Sequence, residues 1–234
     1  RFAALGANLL ICARRQDRLE ELAEQLICKY SVDVEIFCAD LSDYPQVEYV
    51  FAQLPSRWKK VDVLINNAGM ALGMDTLQDG SPSDWDSMID INIKGLLYIT
   101  RQILPGMIEH GQGHIINVGS ISARQTYAGG SVYCATKFAI RGLTDGLAMD
   151  VHGTPIRVGC VHPGMVSTEF STTRFSGDVE RAGDVYKGMV PLDADDVADA
   201  IEYMATRPAH VNIPDMQVFP ADQTAAGLVF RREQ

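Results

Sequence analysis

Short apolar runs alternate along the chain with longer stretches in which apolar residues return every three or four positions. The runs lie at residues 8–13 (NLLICA), 32–39 (VDVEIFCA), 61–66 (VDVLIN), 114–119 (HIINVG), 156–162 (IRVGCVH) and 215–219 (DMQVF). Each is strand length. Four are nearly continuous Val, Ile, Leu and Cys, as in strands covered on both faces. Residues 16–30 carry Leu19, Leu22, Leu26 and Ile27 on one stripe and predict a helix. A shorter helix is expected over 44–54. Ser81-Pro82-Ser83-Asp84 opens another, with serine at the cap and proline in the first turn, and it should run to about residue 110. Further helices are expected over 131–152 and 193–206. Strands alternating with helices predict α/β architecture: a doubly wound parallel sheet in a single domain spanning residues 1–234. Residues 167–191, rich in Ser, Thr, Gly and charge, break the alternation and read as an irregular lid.

The opening Arg1-Phe2-Ala3-Ala4-Leu5-Gly6 reads as the last turns of a helix stopped by glycine. A domain rarely begins in the tail of a helix, so a preceding segment is expected.

Composition narrows the classes. The formal net charge of −10 and the absence of any Lys/Arg run argue against nucleic acid or an anionic membrane as partner. No apolar run approaches the length of a membrane span. The five cysteines, Cys12, Cys28, Cys38, Cys134 and Cys160, show no CxxC spacing. They predict reduced, mostly buried thiols of a cytoplasmic protein, with no disulfide frame and no metal site.

In sheets of this kind ligands bind at the carboxyl ends of the strands, so the residues following each run are the candidates. After the first comes Arg14-Arg15, which suits the 2′-phosphate of NADP or is a solvated basic pair at a helix start. After the second comes Asp40-Leu41-Ser42, where Asp40 either accepts from an adenine amino group or caps a helix. After the third, Asn67-Ala68-Gly69 lets the backbone pass close to a flat ligand, or forms a plain turn. After the fourth stands Ser120, and thirteen residues on begins Tyr133-Cys134-Ala135-Thr136-Lys137. Tyr and Lys at i and i+4 share a helix face. A lysine ammonium beside a phenol lowers the phenol's pKa and fits it for proton exchange with an alcohol oxygen, which Ser120 can hold. Each residue taken singly is also an ordinary neighbour on a helix. Asn92, between two isoleucines of the expected long helix, is either a surface residue or a helix distortion that anchors a water leading to Lys137. After the fifth run come Pro163, Gly164, Val166 and Thr168, which can approach a nicotinamide and a nearby phosphate or simply end a strand.

The order Asn-Asn-Ala-Gly, Asn, Ser, Tyr-x-x-x-Lys, Pro-Gly closely resembles the short-chain dehydrogenase/reductase family across the whole chain. The resemblance implies a Rossmann-type fold and an NADP-dependent oxidoreductase acting on CH–OH groups. It makes Ser120, Tyr133, Lys137 and Asn92 the catalytic set, with Tyr133 and Lys137 also touching the cofactor. Further segments are similar to one subgroup, the NADP-dependent 3-hydroxy acid dehydrogenases. These are Arg14-Arg15-Gln16-Asp17-Arg18-Leu19, Gly113-His114-Ile115-Ile116-Asn117, Tyr127-Ala128-Gly129-Gly130, Thr168-Glu169-Phe170-Ser171, Arg174-Phe175-Ser176-Gly177-Asp178 and Pro208-Ala209-His210-Val211-Asn212-Ile213. That likeness implies a homotetramer acting on short 3-hydroxy acids such as serine or 3-hydroxypropionate. An acidic protein needs a cation to hold an anionic substrate, and Arg174 in the lid is the candidate, against the alternative of a solvated lid arginine.

The chain departs from the family at its start. The family's first strand and its Thr-Gly-x-x-x-Gly-x-Gly turn, which cradles pyrophosphate, are absent. That strand would sit inside a sheet of order 3-2-1-4-5-6-7, so its absence predicts two unpaired interior edges and a hole. The alternatives to a 3-hydroxy acid enzyme are a broad carbonyl or steroid reductase of the same family, and a nucleotide-sensing protein that lacks the chemistry.

Overall fold

The computed structural model describes residues 1–232. After a single 3-10 turn at Ala3–Leu5, stopped by Gly6 at φ +82°, six strands alternate with helices. They are β1 (Leu9–Ala13), α1 (Gln16–Tyr30), β2 (Val34–Cys38), α2 (Tyr44–Gln53), β3 (Val63–Asn66), α3 (Pro82–Ile89), α4 (Leu96–His110), β4 (Gly113–Val118), α5 (Ser131–Asp150), β5 (Ile156–Pro163), α6 (Glu169–Arg174), α7 (Val179–Asp184), α8 (Ala194–Ala205) and β6 (Asp215–Val218). A two-stranded antiparallel pair closes the chain: β7 (Gln223–Ala225) and β8 (Leu228–Val229). The apolar pattern gave no sign of this pair, because each strand is too short to carry a period.

The parallel sheet is in two pieces, β1–β2 and β3–β4–β5–β6. β1 and β3 do not pair, and both border one cavity of about 1210 Å³. The cysteines differ from the expectation. Cys134 and Cys160 are buried, but Cys12 and Cys28 are exposed and Cys38 is half-buried, fewer buried thiols than expected. Cys12 lies on β1, where the strand borders the cavity.

Elsewhere the sheet is covered on both faces, as its unbroken apolar strands require. Leu64, Ile115 and Val158 face one side and pack with Ile99, Ile103 and Met107 of α4. Their neighbours in sequence, Ile65 and Ile116, with Val161, face the other and meet Ala200, Ile201 and Met204 of α8. Each fully buried side chain of this size contributes about 1.5–3 kcal/mol. A buried polar ladder fixes the register. Asn66 donates to Asn117 Oδ1 at 2.8 Å and to Thr100 at 3.0 Å, and Asn117 donates to Thr144 at 2.8 Å. These bonds tie adjacent strands β3 and β4 to helices α4 and α5. Among the described residues no helix is long and apolar enough to cross a membrane.

Two predicted elements differ in detail. The helix expected from residue 81 to 110 is continuous in direction but changes to a π-helical turn at Asp90–Gly95. Ser81 stands at its cap position without a capping side-chain bond, because its hydroxyl meets that of Ser83 instead. Residues 167–191, expected to be irregular, hold α6 and α7, capped by Thr168 and Asp178. The segment leaves and returns at one point, where Val166 bridges Leu192 and Ser167 N donates to Leu192 O at 2.8 Å. Ser176 and Gly177, at φ 53° and 94°, turn the chain between the two helices.

Candidate active site

Within each piece of the sheet the strands are parallel, so the segments following them gather at one end of that piece. Ser120 follows β4, while Tyr133 and Lys137 stand one turn apart on α5 and Asn92 sits in the π-turn. All four are buried. Gly69, after β3, lies beside two of them, Asn92 and Lys137. A Cβ there would lie 3.1 Å from Asn92 Oδ1 and 3.6 Å from Lys137 Nζ. Only glycine leaves that space open to a ligand.

Asn92 is not a surface residue: it is fully buried in a helix distortion, and its side chain is held by protein groups. Its Oδ1 accepts from Met70 N at 2.8 Å, and its Nδ2 donates to Met70 O at 2.8 Å and to Thr136 Oγ1 at 2.9 Å. Thr136 in turn donates to Tyr133 O at 2.7 Å. One amide thus ties the loop after β3 to the helix bearing Tyr133 and Lys137. The π-turn supplies the extra backbone residue that swings Asn92 inward. Such turns occur chiefly at functional sites. Thr136 had no signal in the sequence beyond its place inside Tyr-x-x-x-Lys.

The electrostatics differ from the sequence expectation. Burial raises the Tyr133 phenol above its ordinary range, with Ser120 pulling the other way. Burial also brings the Lys137 ammonium down to about 8. Lys137 Nζ donates to Val118 O at 3.1 Å and stands 5.9 Å from the centre of the Tyr133 ring. Lys137 is not among the groups that lower the phenol; Ser120 and Arg174 do so, burial prevails, and Tyr133 carries its proton at neutral pH.

Arg14 and Arg15 line the large cavity together with Leu41, Asn67, Ala68 and Gly69. Asp40 is not a helix cap; Asp43 caps α2. Asp40 accepts from the Ser42 amide at 2.9 Å and lies 3.9 Å from Arg14. Burial works against its charge, but Ser42 and Arg14 prevail and hold the carboxyl below its ordinary range. Arg15 is shared with Glu169, the first residue of α6, at 3.4 Å, and Arg18 joins the same carboxylate at 3.0 Å. Arg18 entered the sequence reading only as part of a segment similar to the subgroup, with no role, although its i,i+3 spacing from Arg15 puts both on one helix face. Beyond β5, Gly164 packs against Gln223, whose Oε1 accepts from Met165 N at 2.8 Å. Thr168 caps α6 by accepting from Phe170 N at 3.3 Å. Val166 lies between these two and carries the bridge to Leu192.

Arg174 is not a solvated lid arginine. Its Nε donates to Gly73 O at 2.9 Å and its Nη1 to Tyr127 Oη at 2.8 Å. Its guanidinium stands 5.4 Å from the Tyr127 ring centre and 5.7 Å from that of Tyr133. Phe170 of the same helix packs on Tyr133 with ring centres 5.7 Å apart. Tyr127 is a contact the sequence did not single out. Gly130 makes room for its ring, since a Cβ there would lie 2.2 Å from it.

A family model described as short chain dehydrogenase matches residues 1–178. The chain belongs to the short-chain dehydrogenase family. It is therefore an oxidoreductase. An NADP-dependent 3-hydroxy acid dehydrogenase from Shigella flexneri is 43% identical over 100% of this chain and 93% of its own length. A sulfoacetaldehyde reductase from Chromohalobacter salexigens is 41% identical over 100% of this chain and 92% of its own. A solved structure described as the closed form of serine dehydrogenase complexed with NADP+ matches with a TM-score of 0.91 at 42% identity, covering 99% of this chain and 92% of that one. The residues present fit the dinucleotide that a short-chain dehydrogenase uses: a glycine left bare beside Lys137 and Asn92 after β3, and two arginines, Arg14 and Arg15, after β1.

Proposed function

We propose that this short-chain dehydrogenase interconverts a short 3-hydroxy acid and its carbonyl form, using NADP. The observation that carries the reading is the seat of Arg174: a guanidinium fixed by Gly73 and Tyr127 directly over the Tyr133 ring. A cation held there meets a carboxylate one or two carbons from an oxygen bonded to Tyr133. The 3-hydroxy acid, serine and sulfoacetaldehyde named for the relatives are all small molecules that carry an acidic group, which supports the same substrate chemistry.

The chain's own residues divide the work. Ser120 holds the reacting oxygen, and Tyr133 exchanges a proton with it at Oη. Lys137 holds the nicotinamide ribose, and its ammonium offsets the charge of the phenolate once the proton has left. Asn92 holds the loop and helix in register. Asp40, Leu41, Asn67, Ala68, Gly69, Pro163, Gly164, Val166 and Thr168 line the cofactor's path, and Arg14 and Arg15 take the 2′-phosphate. The bound nicotinamide supplies or accepts the hydride. Residues 167–191 act as a lid that keeps water from the exchange, within a single catalytic domain. The protein works in the cytoplasm as a homotetramer. The exposed pairs Leu97 with Ile108 on α4, and Phe138 with Met149 on α5, support self-association. Each pair is eleven residues apart, three helical turns, and so shares a face.

The deciding experiment is Arg174→Met, assayed with a 3-hydroxy acid and with its methyl ester or a neutral ketone. kcat/KM for the acid should fall at least tenfold, the equivalent of about 1.5–3 kcal/mol for a hydrogen bond to a charged group, while the neutral substrate changes little. Equal losses on both would make Arg174 a shaping residue of the lid and would favour a broad carbonyl reductase.

A further inference from the structure

Ser120 rests on a histidine that the chemistry above leaves unused. His162, near the end of β5, is fully buried. Its Nδ1 lies 3.0 Å from Ser120 O and 3.3 Å from Ser120 N. Its Nε2 faces Asp215 Oδ2 at 3.3 Å, and Arg124 bonds the same carboxylate oxygen from the other side. The ring thus lies between the main chain of Ser120 and the first residue of β6, hydrogen-bonded at Nδ1 and, among the described residues, not at Nε2.

The position of Nδ1 matters because of where the β4–β5 ladder stops. Its last bond runs from Gly119 N to Val161 O at 2.8 Å. Beyond it the Ser120 carbonyl accepts from Ala123 N at 2.9 Å, while the Ser120 N–H meets no main-chain group and is directed at Nδ1. The approach needs glycine at 119, since a Cβ there would lie 2.5 Å from Nδ1. Packing alone would not call for an imidazole at this depth, because burying a polar ring costs free energy unless it is hydrogen-bonded.

We propose that His162 is a positioning residue: its Nδ1 completes the hydrogen bonding of the Ser120 main chain where the strand ladder ends, and so fixes the hydroxyl that meets the substrate oxygen. This rests on Ser120 holding that oxygen. Nδ1 can serve as acceptor for the Ser120 N–H or as donor to its carbonyl, and the amide of an asparagine can take either part from the same position. Glutamine carries its amide farther out, near Nε2, and leucine has none.

The test compares three variants in the full chain. His162→Asn should keep kcat within about threefold of the parent. His162→Gln and His162→Leu should lose about 10- to 100-fold in kcat, the scale of a small misplacement at a reacting centre, with the NADPH Kd from fluorescence titration unchanged. Equal kcat in the Asn and Gln variants, whether both high or both low, would overturn the proposal, because a merely structural role would not distinguish the two amides. That contrast decides the matter even if the Leu variant does not fold. Ser120→Ala separates the two layers of the argument. Loss of turnover in Ser120→Ala with none in His162→Gln removes the anchor and leaves the reading of Ser120 standing. Full activity in Ser120→Ala overturns both.

Discussion

At the scale of the residue, the site is governed by burial. Burial keeps the proton on Tyr133 and brings Lys137 down to about 8, so the pair is set for donation to a carbonyl oxygen at neutral pH. Oxidation needs the phenolate instead, and its rate should rise with pH as that form grows, whereas reduction should not. Tyr133→Phe removes the exchangeable proton and leaves the ring packed on Phe170. Turnover should drop about 10²–10⁴-fold in both directions while NADPH binds nearly as before. Absorbance at 340 nm for turnover and fluorescence titration for binding check the two halves. Turnover at the parent rate would take Tyr133 out of the chemistry.

At the scale of the element, the π-turn after α3 is the device that assembles the site. Asn92→Ala would leave Met70 N and Met70 O without their partner in a buried place. Each unsatisfied group costs about 1–3 kcal/mol. The variant should therefore melt several degrees lower, and kcat should fall with it because Thr136 and the loop after β3 lose their common tie. Melting curves and initial rates check both. Six strands and the main helices were legible in the sequence because each buries a continuous or periodic apolar face, as with Ile115 and Ile116 pointing to opposite layers. The π-turn was legible only as an asparagine out of place between isoleucines. The partners of Arg174 were not legible at all. Its bonds to Gly73 and Tyr127 join residues about a hundred and about fifty positions apart, and no local pattern records such a meeting. The short helices α6 and α7 escaped notice because six residues give too little periodicity to set them apart from a polar loop.

At the scale of the whole molecule, acid should act through His114, at the second position of β4 and fully enclosed. Among the described residues neither ring nitrogen has a hydrogen-bond partner, and burial, aided by Arg157, lowers its pKa to about 4. The unfolded chain takes up this proton first as pH falls, near 6.5. The stability held by the neutral ring is complete above that pH, is lost progressively towards pH 4, and falls no further from this source below it. The shift corresponds to about 3 kcal/mol. His114→Leu should flatten the slope of melting temperature against pH across that window, and an unchanged slope would exclude His114 as its origin. The pinched base of residues 167–191 has a consequence for motion. Val166 bridges Leu192 and Ser167 N donates to Leu192 O, so both ends of the segment are tied at one point. Segments that open locally do so in contiguous cooperative units. In native-state hydrogen exchange the amides of α6 and α7 should therefore open together, at lower free energy than those of β4 and β5, with the tie at Leu192 as the pivot.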